Sequence, residues 1–449
     1  MRILFVVPYT PSQLRVRPYG FVRHLARQHG VHVLALSQGT LSRNALVDIG
    51  QLRREGIPVT VIQEPRYRPY LRTLVSTLVP RSEPMPLQVA YTASPALRAA
   101  ISRELQAHWY DAVHVEHVRG IGALPAEPWA PVVWDAVDCV SLLYEQGAQH
   151  GATSLVRMVG QMEARRLRAF ERRNIERFRQ VLVTSERDRQ ELLKLAEAGP
   201  GADATLTPEK ITVLPHGIDP RQFRRRDVER EPDTLIFAGK MDYHANVAGA
   251  MMLARQIMPL IWHERPNVRL IIAGSNPTRA VRQLARDKRI TVTGYVRDLN
   301  ALVSSACVSV SPLPYAVGIQ NKVLEAMAAG TPVVASSSSA GGLQTVTDRD
   351  LLVADTPEEF AAATLRLLSD TEAWHSVARH GAAYIAAHHD WDTIIERLTL
   401  VYEHAREVRV AIARHARAWQ TGQAQPSWAS EHPAAFVAAR PEYPGTPAS

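Results

Sequence analysis

Cysteine is scarce in this chain. Only Cys139 and Cys307 occur in 449 residues, far apart and with no CxxC spacing. That argues against a disulfide framework and a cysteine zinc site, and a reducing, cytoplasmic setting is the expectation. Long apolar runs are missing too: segments such as LIIA and VVAS fall far short of the roughly 20 residues a membrane helix requires. The opening MRILFVVPY lacks the apolar core and small-residue cleavage site of a leader, and it reads as a first strand. No GxGxxG follows RILFVV, which argues against a dinucleotide oxidoreductase. Aromatics make up 6% of the residues, and the arginines are spread over helices instead of forming an aromatic-interleaved stripe. Nucleic acid is therefore not an expected partner.

The composition is otherwise that of a globular protein, with 46% hydrophobic and 21% charged residues. A formal charge of +8 favours anionic partners, whether nucleotides, phosphorylated lipids or an anionic membrane surface. Short, nearly continuous apolar runs (RILFVV, VHVLAL, PVTVI, DAVHVEH, PVVWDAV, QVLVTS) alternate with amphipathic helices, the first of them FVRHLARQHG ending in Gly30. A second block runs through TLIFAG, VRLIIAG, ITVTGY, ACVSVSPLP and PVVAS. Such runs are strands of parallel sheets covered on both faces. The reading is α/β: two Rossmann-like, doubly wound domains, 1–212 and 213–385, meeting near LPHGID around a cleft. Helices in 386–420 are expected to cross back to the first domain, and the Pro-, Ala-, Ser- and Glu-rich 421–449 to be a disordered tail.

The stretch GIQNKVLEAMAAGTPVVAS, Gly318 to Ser336, carries the most chemistry. A glycine loop opens a helix whose free N–H groups and dipole suit a diphosphate, and Lys322 adds a full charge in the first turn. Glu325, a turn further on, is placed to accept hydrogen bonds from a ribose diol, although a capped helix with a surface glutamate satisfies the same pattern.

This stretch resembles the donor-binding helix of glycosyltransferase family 4, the retaining, metal-independent enzymes of the GT-B fold. LPHGIDPRQF, LIFAGKMDYHANVAGAMMLARQIMPLI, VRLIIAG and ITVTGYVRDLNALVSSACVSVSPLPY follow the family's order, most strongly from Ile211 to Gly342. GIQNKVLEAMA is most similar to family members associated with exopolysaccharide export. The resemblance implies a nucleoside diphosphate sugar as donor, a saccharide or lipid-linked acceptor, and no metal or other cofactor. It assigns the donor diphosphate to Gly239, Lys240, Gly318, Asn321 and Lys322, the ribose to Glu325, and the base to the backbone of Tyr295 and Val296. Lys240 and Lys322 would stabilise the leaving group.

The sequence departs from the family at several points. The usual first glutamate of a pair eight residues apart is Val317, a commoner lysine is Asn246, and His216 stands where asparagine is more frequent. In the N-terminal loop PYTPSQLRVRPYG, Val16 and Arg17 replace a glycine pair, and Arg17 is expected to hold a phosphate on the donor or acceptor side. The catalytic histidine of relatives falls at Glu116 by strict spacing, with His117 beside it. Strand alternation sends one of the two into the cleft, and His117 is preferred. Asp135 and Asp138 are acceptor-side candidates or helix caps. His114, His117 and Glu116 lack HExxH spacing, and no metal is expected.

In YRPYLRTLVSTLVPR, Leu71, Leu74, Val75, Leu78 and Val79 share a helical face, with Arg66, Arg68, Arg72 and Arg81 around it. Peripheral docking on anionic lipid and packing into the core both explain that stripe. Two rival functions share the fold: a nucleotide-sugar epimerase, and an inactive paralogue that binds nucleotide or a partner.

Overall fold

In the computed structural model the described residues are 1–13, 15–78, 84–126, 130–149, 154–197 and 208–420, without the side chains of 154–156, 208 and 408–420. Val79, Arg81 and the expected tail 421–449 lie outside them.

Among the described residues, thirteen strands form two parallel sheets. The first contains β1 (Arg2–Val7), β2 (Gly30–Gln38), β3 (Val59–Glu64), β4 (Ala112–Glu116), β5 (Val132–Val137), β6 (Gln180–Val183) and β7 (Ile211–Val213), in the order β3-β2-β1-β4-β5-β6-β7. The second contains β8 (Glu231–Ala238), β9 (Arg269–Ala273), β10 (Ile290–Gly294), β11 (Ala306–Ser311), β12 (Val333–Ala335) and β13 (Leu352–Val353), in the order β10-β9-β8-β11-β12-β13. Both are the doubly wound sheets the alternating pattern implies. Apolar side chains on both faces explain the continuous runs: Ile3, Phe5 and Val7 enter one cluster, and Leu4 and Val6 the opposite one.

Two expectations shift, and one of two open readings falls. Gly30 opens β2, and the first helix spans Val16–Leu25, ending well before that glycine. Val213 completes β7, so the seam between domains falls beyond residue 213. The reading that falls is core packing of the Tyr67–Leu78 helix, whose apolar stripe faces solvent: Leu71, Leu74, Val75 and Leu78 are all more than half exposed or nearly so, while Pro69 and Ser76 are buried.

Strand order reverses direction at β1/β4 in the first sheet and at β8/β11 in the second. Chains leaving neighbouring strands there diverge to opposite faces and open a crevice, where ligands of such sheets bind. Tyr9 lies in the loop after β1, His117 opens the short helix His117–Ile121 that follows β4 directly, and the loops after β8 and β11 carry Lys240 and Gly318. The helix Trp391–Gln420 packs on the N-terminal sheet, with Trp391, Ile394, Leu398 and Tyr402 in the cluster of Phe5 and Phe21. Trp391 also fills the space beside Gly20 and Gly217, which pins the connection between the domains.

Candidate active site

The C-terminal wall of the cleft is built around the Asn321–Ala328 helix. The Lys322 ammonium donates to the Asn246 Oδ1 at 2.8 Å, and the Asn246 Nδ2 donates to the Lys240 carbonyl at 3.0 Å. Asn246 thus ties the helix N-terminus to the Gly239–Lys240 loop. A Cβ on Gly239 would lie 2.8 Å from the Asn246 amide, so glycine is what allows this approach. Burial lowers the Lys322 pKa to about 8, against the opposing pull of Glu325. Burial raises Glu325 to about 7, against Lys322. A desolvated cation with neutral partners at a helix N-terminus is the electrostatic situation a bound anion relieves. Lys240 is largely exposed, with Asp242 at 3.3 Å, and Tyr295 is exposed while Val296 packs at the edge of the core.

Val317 and Gly318 are buried where the domains meet. The Gly318 N–H donates to Asp188 Oδ2 at 3.0 Å, and Asp138 lies beside it, accepting from the Thr184 hydroxyl at 3.1 Å. Burial and then the Asp188 charge raise the Asp138 carboxyl to about 8. Asp138 therefore belongs to the interdomain seam. At Gly318 φ is +61°, and a Cβ would overlap Asp138 Oδ1 at 1.8 Å. Gly318→Ala is expected to cost about 1–3 kcal/mol from the backbone alone and to push the domains apart. The measurement is a urea melt paired with small-angle scattering; an unchanged midpoint and unchanged radius would refute it.

The N-terminal wall holds a buried polar cluster. The Arg17 guanidinium makes a two-pronged pair with Asp135, both contacts at 2.8 Å, and its Nη1 donates to the Leu214 carbonyl at 2.6 Å. These contacts correct the expectation that Arg17 is presented to a phosphate and Asp135 to an acceptor: each is occupied by the other, at 5% and 0% exposure. Glu116 faces the same interior, because it sits opposite Asp135 in the β4/β5 register and two residues from His114. It accepts from the Tyr9 hydroxyl at 2.8 Å, and His114 bonds to the Tyr402 hydroxyl at 2.8 Å. Ligand atoms of His114, Glu116 and Asp135 lie within 4.8 Å of one another. With Arg17 on both Asp135 oxygens the group reads as a charge-balanced ion network. Burial disfavours a charged His114 ring, yet Asp135 and Glu116 outweigh it and raise its pKa.

His117 leaves the strand with φ +60°, a strained conformation of the kind that clusters at functional sites. Its Nδ1 accepts from the Arg119 N–H at 3.3 Å, which places the ring proton on Nε2. Burial, then Arg119 and Arg15, lower its pKa to about 3, so the ring is neutral across the physiological range.

Two further residues join the site. His216 is 5% exposed beside Arg17 and Asn321, and burial lowers its pKa to about 3. Asp188 holds the Gly318 loop from across the seam. His216 carries a signal in the sequence, its departure from asparagine. Asp188 carries none, since it reads as an ordinary first-turn acid.

Residues 16–222 match the family model described as Glycosyltransferase Family 4, and residues 232–370 match the one described as Glycosyl transferases group 1. The two parallel-sheet domains are those of a GT-B fold, and each carries a match to a glycosyltransferase model. The chain is 29% identical over 228 residues to an uncharacterized glycosyltransferase, MJ1607, of Methanocaldococcus jannaschii, covering 45% of this chain and 56% of that protein. It is 29% identical over 227 residues to the glycogen synthase of Mycobacterium tuberculosis, covering 46% and 53%. The chain thus spans about half the length of the curated relatives it matches. Anabaena HepE, solved in complex with UDP, superposes with a TM-score of 0.61 at 15% identity, covering 90% of this chain and all of that one, a likeness of fold.

Proposed function

We propose that this protein transfers a sugar from a nucleoside diphosphate donor to a saccharide or lipid-linked acceptor, with retention at the anomeric carbon and without a metal ion. The observation that carries the reading is the Lys322 ammonium, half-buried at a helix N-terminus and held by Asn246 against the Gly239–Lys240 loop. In the reading, the diphosphate sits on Asn321 and Lys322, with Lys240 closing over it from the exposed side; Gly318, expected among its contacts, instead gives its N–H to Asp188. Glu325 takes the ribose, and the Tyr295–Val296 backbone takes the base. HepE binds UDP on a similar fold, which makes uridine the first base to test.

His117, neutral and with its proton on Nε2, donates to a sugar oxygen without adding charge. Val317 leaves the sugar hydroxyls unread by a carboxylate at that point. In front-face attack the departing diphosphate oxygen takes the acceptor proton while the C1–O bond to phosphate breaks and the bond to the acceptor oxygen forms. Lys322 and the helix N-terminus stabilise the charge that develops. No enzyme base is then needed, which agrees with Glu116 and Asp135 being turned into an internal network.

The experiment is turnover of UDP-, GDP-, ADP- and dTDP-sugars with a saccharide acceptor panel, followed by release of nucleoside diphosphate and by product NMR. One donor family is expected to turn over to a product of unchanged anomeric configuration, with Lys322→Ala inactive. Inversion sinks the mechanism. Epimerised donor without an acceptor points to an epimerase, and no release from any donor points to an inactive paralogue.

A further inference from the structure

The Tyr67–Leu78 helix is packed inside out. A surface helix ordinarily buries its apolar stripe and shows its polar face. Here Tyr67, Tyr70, Leu71, Leu74, Val75 and Leu78 are 59%, 65%, 52%, 54%, 50% and 69% exposed. The inward face is Pro69, Arg72, Thr73 and Ser76. What holds the helix down is polar: Arg72 makes two contacts to the buried Glu64 at 2.5 and 2.7 Å and donates to the Tyr91 carbonyl at 2.8 Å. The anchoring is therefore complete without the leucines, which leaves the whole stripe free to meet something else. Contiguous apolar exposure of this kind marks an interaction surface.

Charge says what it meets. The helix contains no acidic residue, Arg66 and Arg68 are exposed at its start, and Glu64 beside it is buried against Arg72. The chain as a whole carries +8. An apolar stripe with tyrosines and arginines at one end suits an interface that is apolar below and anionic above, whereas a second copy of this basic chain brings like charge. The helix follows β3, so it sits at the outer edge of the same end of the sheet as the cleft-side segments after β1 and β4.

We infer that this face docks the protein on an anionic lipid bilayer, with the leucine stripe in the headgroup boundary and Arg66 and Arg68 on lipid phosphates. The cleft then opens toward the surface from which a lipid-linked acceptor is drawn. The docking itself is independent of the proposed transfer reaction.

The test is flotation of the full chain with vesicles of phosphatidylcholine alone or in equal parts with phosphatidylglycerol. The wild type is expected to bind the anionic vesicles about tenfold or more tightly than the neutral ones, with binding falling as salt rises. Leu71→Ser with Leu74→Ser is expected to weaken it by about tenfold or more, with thermal midpoint and nucleotide binding unchanged, since both positions are solvent-facing. Arg66→Glu with Arg68→Glu removes the preference for anionic lipid. Absence of wild-type binding at low salt overturns the inference, as does equal binding by the leucine variant. Light scattering that shows a dimer which the leucine variant dissociates overturns it in favour of an interface between copies.

Discussion

Arg17→Met is expected to lower the folding stability by about 3–5 kcal/mol, read as a drop in the urea midpoint at pH 7. Arg17 is buried, and its removal leaves only His114 to balance Asp135 and Glu116 in the same interior. It also removes the bond to the Leu214 carbonyl, where the chain leaves β7 for the second domain. Asp135→Asn in the same chain should restore a large part of the loss, because the charge that Arg17 balanced is gone. The pH dependence has a definite sign. Burial raises the Asp135 carboxyl, but Arg17 and His114 outweigh that and hold it at about 2, below its ordinary 3.8. A depressed carboxylate contributes stability that is present above its unfolded pKa and lost as pH falls through the folded one. The gap between wild type and Arg17→Met should therefore be full at pH 7 and narrow between about pH 4 and pH 2. A constant gap would remove the ion pair from the account.

Nucleotide affinity should fall on the alkaline side. Lys322 titrates at about 8 in the free protein, and a diphosphate beside it raises that value. The attraction is then complete below about pH 8 and is lost as pH rises above it, by up to about tenfold per pH unit. Lys322→Ala should weaken nucleoside diphosphate binding by about 1.5–3 kcal/mol, the usual worth of a charged hydrogen bond, and should flatten the alkaline slope. Calorimetric titrations from pH 7 to 9.5 read both. A slope that survives in the variant would assign the titration to another group.

How legible this was varies with the range of the contact. The strands and the donor helix are local: nearly continuous Val, Ile and Leu runs, and a glycine loop ahead of NKVLEAMA, declare themselves within a dozen residues. Lys322 and Glu325 were placed from such a local pattern and Gly239 and Lys240 from the family resemblance, and the fold brings Lys322 and Lys240 together through Asn246. That residue looks in the sequence like the loss of a cation and in the structure like the clamp that holds one.

The N-terminal wall was not legible in the same way. Arg17 meets Asp135 across 118 residues and Gly318 meets Asp188 across 130, and no spacing rule connects residues so far apart. Glu116 and His117 needed the β4/β5 register and a left-handed residue at the strand end, which alternation alone does not reveal. The Tyr67–Leu78 helix shows periodicity reporting the width of an apolar stripe but not which way it faces. The Arg72–Glu64 pair sets that, and it is a tertiary contact.

The central claim is a nucleoside diphosphate site centred on Lys322. Its most direct test is calorimetric titration of the wild type, Lys322→Ala and Lys240→Ala with UDP and GDP at pH 7.5. One nucleotide should bind the wild type, Lys240→Ala should bind it more weakly, and Lys322→Ala should lose about tenfold or more. If neither nucleotide binds at millimolar concentration, or if Lys322→Ala binds as the wild type does, the donor site is not where this account puts it.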